Sequence, residues 1–364
     1  MRLFTRRVVS LFFVRVVGCA LIGLVFGGAV GAAVFKPAAY GAIFGGFAGA
    51  LYCTALMVFI GGAEMFLPRT RIGQALERSP LAVAIGVKAL AYSAVIIIIV
   101  GGRLGLRAAV VVAGMTVEGD FPQSFEQQAR STIPGAVMIA TSILLVACFL
   151  LLRELNHLVG NRTFRAIALG RYHQPRLEER FFLFVDIVGS TPLAERLGPA
   201  SVHAFLDRVF QIASDPIDDH DGEVYQYVGD EMVITWTVAE GRRGARPLAC
   251  LFAIQEALTL AAPDFEREFG AAPGLRAALH AGPVTTGEVG GSRRAIVFHG
   301  DVMNAASRLE NATRELGRPF LVSDDALRRL EASDAYTLLD LGSQQLRGRV
   351  APMRVFAVAS RAAS

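Results

Sequence analysis

The sequence predicts two structural classes in one chain: an α-helical membrane domain with four transmembrane helices at 1–152, and an α+β soluble domain at 179–364, joined by a helical linker at 153–178. Three observations carry this. At 53% hydrophobic and 19% charged over 364 residues, the chain is too apolar for a single soluble domain. The apolar excess lies in the first half, where charge-poor runs of about 20 residues recur, the length that crosses a bilayer as helix. The second half instead carries short β-rich runs, helix-start signals and acidic residues where strands end.

Charge and cysteine content narrow the function. Formal charge is +7 over residues 1–152 and −3 over residues 153–364, within a net +4, so the basic residues belong to the apolar half and no nucleic-acid-binding face is expected. Cys19, Cys53 and Cys148 lie in apolar runs and Cys250 stands alone; without a CxxC pair, neither a zinc site nor a redox pair is expected. Lysine occurs at Lys36 and Lys88 alone, and no Gly-x4-Gly-Lys-Ser/Thr is present, which excludes P-loop chemistry.

The four predicted spans are Val16 to Phe35, Ala38 to Ala63, Leu81 to Gly102 (with Lys88 inside it) and Ser131 to Leu152. Gly41, Gly45, Gly46 and Gly49 in the second suit close helix contact in lipid. Arg2, Arg6 and Arg7 precede the first span, and Arg69, Arg71 and Arg78 fill the second loop, against Lys36 alone in the first. By the positive-inside rule this puts the N-terminus and the C-terminal half of a multi-pass protein in the cytoplasm, and the Arg-rich, Lys-poor composition points to the plasma (inner) membrane. From Arg153 to Arg180 six arginines appear, with recurring apolar residues such as Leu155, Leu158 and Val159, and Gly170 and Pro175 end the linker. It reads equally as a helical stalk or as an amphipathic helix on the headgroups.

In the soluble half, Phe181 to Ile187 is a continuous apolar run holding Asp186, read as a buried strand ending in a carboxylate. Gly189, Ser190, Thr191 and Pro192 follow as a helix start at about residue 192, with backbone N–H groups and helix dipole suited to a phosphate. Glu223 to Trp236 forms two β-rich runs joined at Gly229, Asp230 and Glu231, a hairpin with Asp230 at its turn. A strand ending in Asp beside a hairpin tip carrying Asp is how a βαββαβ sheet builds a two-carboxylate site for divalent cations that bridge nucleotide phosphates. Asp301 is read as the N-cap of a helix running to about Glu315, on which Asn304 and Arg308 share a face at i, i+4. An amide and a guanidinium aimed at one point suit charge developing on a transferring phosphoryl group.

These motifs, Phe184-x-Asp186-Ile187-x-Gly189-x-Thr191, Gly229-Asp230-Glu231 and Gly300-Asp301-x-x-Asn304-x-Ala306-x-Arg308, resemble in order and spacing the class III nucleotide cyclase catalytic domain. The resemblance implies a ferredoxin-like domain acting as a homodimer with sites at its interface. It implies that Asp186 and Asp230, helped by the Ile187 carbonyl, hold two Mg²⁺ or Mn²⁺ ions, and that Asn304 and Arg308 of the partner subunit orient the ribose and stabilise the transition state. Arg347 stands where the family usually has a lysine on the triphosphate.

At the base-recognition positions the sequence departs from the family: Gln226 and Val297 match neither the usual adenylate nor the usual guanylate choices. Gln226 can donate and accept, while Val297 can only pack against a ring. Gln lacks the carboxylate that would accept from guanine's N1–H and 2-amino group, so ATP is the expected substrate and GTP the alternative. A diguanylate cyclase would leave Asn304 and Arg308 unexplained. A non-catalytic nucleotide-binding module would not need all four of Asp186, Asp230, Asn304 and Arg308. The first half has too few intramembrane charges, Arg15 and Lys88, to read as a transporter.

Overall fold

The structure, a computed structural model, describes residues 16–25, 27–29, 38–67, 70–77, 83–95, 170–291, 295–349 and 351–361, with isolated positions elsewhere. Contacts divide the chain into Met1–Leu158 and Val159–Ser364, a division that falls inside the predicted linker. Most of that linker and of the fourth predicted span lies outside the described residues.

In the first unit, helices cover Val16–Ala29, Ala38–Phe66 and Val83–Val95, one in each of the first three predicted spans. The second has 29 residues, about 43 Å of helix at 1.5 Å per residue. It crosses the first at glycine: a Cβ on Gly46 would stand 3.0 Å from the Leu24 carbonyl oxygen, and one on Gly28 3.3 Å from that of Ala42. The second and third meet through a polar cluster that the sequence half disclosed. Lys88 Nζ lies 3.1 Å from Glu64 Oε2, and Tyr92 Oη donates to Glu64 Oε1 at 2.6 Å, beside buried Ile60 and Ala89. Leu21, Ile22, Ile43, Phe47, Leu51 and Leu90 are exposed on these helices. Among the described residues, the helix whose length and composition alone would let it cross a membrane is Arg243–Phe269, in the other unit. That stretch is a core helix, since Leu251, Ile254, Leu258 and Phe265 bury one side of it against the sheet.

The second unit is built on a mostly antiparallel sheet. In chain order its elements are β1 (Arg176–Val188), α1 (Ser190–Leu197), α2 (Pro199–Asp219), β2 (Glu223–Val228), β3 (Glu231–Thr237), α3 (Arg246–Phe269), β4 (Gly274–Val289), β5 (Ala295–His299), α4 (Asp301–Glu315), β6 (Phe320–Ser323), β7 (Tyr336–Gln344) and β8 (Met353–Ser360). The sheet runs β2-β3-β1-β4-β6-β8-β7, with β5 paired to β4. Its first four strands give the 4-1-3-2 order of a βαββαβ unit, and β6 joins parallel to β4. β1 begins at Arg176, inside the range read as linker.

Strand alternation divides β1 between two layers. Phe181, Leu183, Val185 and Ile187 pack with Phe205, Val209, Ala213 and Ile217, the four-residue stripe of α2, and with α3. Phe182 and Phe184 point to the other face, where they meet Val233, Val284 and the α4 residues Val302 and Ala306. Asp186 belongs to this second face, which carries the site.

Candidate active site

Two local starts differ from the sequence expectation. α1 begins at Ser190 rather than about residue 192, and its N-cap is Gly189 in the left-handed region at φ 78°. Ser190 does not cap the helix; its Oγ donates to Asp230 Oδ2, tying the start of α1 to the hairpin tip. α4 likewise begins at Asp301 with Gly300 as N-cap and no side-chain cap bond, and Asp301 pairs with Arg349 at 3.2 Å instead. The β2–β3 hairpin matches the expectation: Gly229, at φ 64°, and Asp230 form its turn.

Asp186 is 5% exposed and lies across from Glu231 on β3 and Arg276 on β4. Its Oδ2 accepts from Arg276 and, at 3.1 Å, from Nη2 of Arg314 on α4. Asp230, Glu231 and Glu310 complete an acidic group. Burial, then the charges of Glu310, Asp186 and Asp230, push the Glu231 carboxyl up to about 7, and burial and Asp186 raise that of Glu310. The sequence reading missed Arg276, Arg314, Glu231 and Glu310 at this site, since only strand register and the packing of α4 place them beside Asp186.

Of the remaining predicted residues, Arg308 meets the turn that carries Arg347. Asn304 is exposed, and Arg308 Nη1 donates to the Gly348 carbonyl at 3.0 Å, next to exposed Arg347. At 100° per residue, the Glu310/Arg314 face of α4 lies about 120° from the Asn304/Arg308 face. The side of α4 that reaches Asp186 is therefore not the side carrying the predicted transition-state pair. Thr191 is exposed on α1, and Ile187 turns its side chain into the helix-facing core.

A β-bulge sets the direction of Gln226. Val224 lies opposite Ile234, but Gln226 lies opposite Val233, so one residue, Tyr225, is inserted between them. Cross-strand partners share a face, and Val233 faces the site layer, so the bulge turns exposed Gln226 to that side. Val297 lies opposite Gly287; its neighbour Phe298, opposite Thr286, is the β5 residue on Gln226's side, with its ring 4.7 Å from that of Tyr225. Val297 and Phe298 therefore take opposite faces of β5.

The donor set suits a hard cation: two carboxylates, Asp186 and Asp230, and a backbone carbonyl, all oxygen. Among the described residues no group of three or more His, Cys, Asp or Glu side chains is arranged to hold a metal. His280 is not a free base. It is 5% exposed, its Nδ1 is 2.7 Å from Ser323 Oγ, and burial lowers it to about 4.

Comparison with known proteins covers the same region. Residues 173–360 match the family described as the adenylate and guanylate cyclase catalytic domain. The chain is 34% identical over 224 residues to adenylate cyclase 2 of Rhizobium meliloti (strain 1021), covering 62% of each. It is 31% identical over 174 residues to an adenylate cyclase of Mycobacterium bovis, covering 48% of this chain and 38% of that one. The chain thus spans about three fifths and two fifths of these relatives' lengths. A bacterial light-regulated adenylyl cyclase structure superposes with a TM-score of 0.51 at 24% identity, covering 61% of this chain and 65% of that one, a likeness of fold. The matched region takes in just over half of the sequence and contains β1, the hairpin and α4 with all three motifs, so the chain belongs to the adenylate and guanylate cyclase catalytic domain family.

Proposed function

We propose that the chain is a membrane-anchored class III adenylate cyclase, converting ATP to 3′,5′-cyclic AMP and pyrophosphate at sites shared between two copies of itself. The observation that carries this is the two-sided α4. Glu310 and Arg314 turn toward Asp186 of their own chain, while Asn304 and Arg308 lie on another face with Asn304 exposed. A homodimer lets each chain supply the carboxylates of one site and the Asn/Arg pair of the other.

Asp186, Asp230 and the Ile187 carbonyl would hold two divalent cations, Mg²⁺ or Mn²⁺. Bound there, such ions lower the pKa of the ribose 3′-hydroxyl and neutralise triphosphate charge. The chain's own residues do the rest. Backbone N–H groups at Gly189, Ser190 and Thr191 cradle phosphate. Asn304 orients the ribose, Arg308 offsets charge on the α-phosphate, and Arg347 holds the triphosphate. The 3′-oxygen bonds to the α-phosphorus in line as the bond to pyrophosphate breaks, and the hydroxyl proton leaves to solvent or to pyrophosphate. Buried, neutral His280 takes no part. Gln226 and Val297 are assigned to the purine. ATP is favoured because the two relatives described above are named adenylate cyclases and because Gln226 lacks the carboxylate suited to guanine.

The anchor is assigned to residues 1–152 as four spans, with the N-terminus and a catalytic domain that takes in β1 from Arg176 cytoplasmic, and the residues between as linker. The 29-residue helix, the glycine crossing and the exposed apolar side chains on the described helices support it. The test is product analysis of detergent-solubilised full-length protein with ATP or GTP and Mg²⁺ or Mn²⁺. Cyclic AMP from ATP, abolished in Asp186→Ala and Asp230→Ala, is the expected outcome. Cyclic GMP alone reverses the substrate assignment, and no cyclic product with either nucleotide refutes the activity.

A further inference from the structure

Away from the acidic group, β1 buries a second charge. Arg180 is 3% exposed and uses all three guanidinium nitrogens. Nε donates to Thr235 Oγ1 at 3.0 Å, Nη1 to Glu178 Oε2 at 3.1 Å and Nη2 to Glu223 Oε2 at 3.1 Å. Its Cζ lies 4.8 Å from the centre of the Phe298 ring. The cation therefore touches β2 through Glu223, β3 through Thr235 and β5 through Phe298. Glu223 stands three residues before Gln226, and Phe298 immediately follows Val297. Phe298 also packs on Tyr225, the bulge residue that turns Gln226 toward the site.

The two carboxylates are held from the other side by the segment leading into the domain. Tyr172 Oη donates to Glu178 at 3.1 Å, and Thr163 Oγ1 donates to Glu223 at 2.8 Å. Tyr172 is itself buried, and its carbonyl accepts from the Glu288 N–H at 3.1 Å. Stability alone is a poor reason for such a cluster, since well-packed apolar residues replace buried ion groups at little or no cost. Its distinctive consequence is geometric: a planar fork fixes three strands at once, which neither a point charge nor a methyl group does.

We propose that Arg180 is a positioning residue for nucleotide selection, fixing where β2 and β5 present Gln226 and Val297 and linking that placement to the segment at 163–172. This rests on the assignment of Gln226 and Val297 to the purine. The test compares full-length wild type with Arg180→Met, Arg180→Lys, Tyr172→Phe and the double variant Arg180→Met/Glu223→Gln, in which no β2 carboxylate is left buried without a cation. Measured are kcat and KM for ATP and GTP, binding of fluorescent ATP and GTP analogues, and the thermal midpoint. Expected is a rise of about tenfold in KM for ATP in Arg180→Met and in the double variant, with kcat within about threefold and a narrowed preference between nucleotides. Arg180→Lys recovers part of the preference, and Tyr172→Phe shifts it in the same direction by less. Wild-type KM and preference in a folded double variant overturn the proposal, as does a loss of kcat that only tracks the folded fraction. A wild type that neither turns over nor binds either nucleotide refutes the functional reading itself, an outcome distinct from a selective wild type whose selectivity ignores Arg180.

Discussion

Arg308 rests on the Gly348 carbonyl, beside Arg347 and on a different face of α4 from the acidic group, and among the described residues no ion pair joins it to a carboxylate of the site. Assigned to charge that grows only in the transition state, Arg308→Ala is expected to lower kcat by about 10²- to 10³-fold with little change in KM for ATP, measured by steady-state kinetics on the full chain. His280 makes a prediction of the opposite kind, about stability. Ser323 Oγ accepts from the Ala326 N–H and lies 2.7 Å from His280 Nδ1, so the buried ring has a hydrogen-bond partner. Unfolded histidine gains a proton below about 6.5, whereas burial keeps the folded ring neutral down to about 4. Between those values the unfolded state binds one more proton, so stability falls as pH is lowered, by up to about 1.4 kcal/mol per unit. Urea midpoints from pH 7 to 4 should show a shallower slope for His280→Gln than for wild type, and parallel slopes would refute the assignment.

At the scale of elements, the sequence disclosed what local chemistry decides and hid what register decides. The hairpin was legible because Gly229-Asp230 between β-rich runs is a turn signal, and the buried strand because its apolar run is unbroken. The starts of α1 and α4 were misplaced because Ser190 and Asp301 have capping chemistry but use it on Asp230 and Arg349, partners far away in sequence. The bulge at Tyr225 was invisible, since it is a property of pairing between β2 and β3. So was Arg276, whose part depends on lying opposite Asp186 across two strands. Ala305 and Ala306 are fully buried where α4 lies on the sheet, so α4 sits close because these side chains are small. Ala306→Leu should therefore cost about 1–3 kcal/mol of stability, read from the denaturant midpoint, and reduce activity by lifting Asn304 and Arg308.

For the whole molecule, the two-sided α4 makes a prediction about subunits. Asp186→Ala and Arg308→Ala chains are each expected to be inactive alone. Co-expressed, half of the dimers are mixed, and each mixed dimer keeps one intact site of two, so about a quarter of wild-type activity should return. No recovery would mean that carboxylates and arginine act within one chain. The family was legible at this scale because its three motifs are short and ordered. How the purine is chosen was less so, because Gln226 and Val297 are single residues whose directions depend on a bulge and on strand alternation.

The contact between Glu64 and Lys88 bears on what the first half can respond to. In a bilayer, a membrane potential of 100 mV does about 2.3 kcal/mol of work on each elementary charge carried across it. A carboxylate and an ammonium held 3.1 Å apart move as one dipole whose formal charges cancel. Under the proposed anchor, helices Ala38–Phe66 and Val83–Val95, shifting together, carry no net charge through the field at the Glu64–Lys88 pair. A stimulus that slides one of these helices past the other must instead supply the energy of parting the two ions in a medium of low dielectric constant, so this crossing favours rigid joint movement over relative sliding.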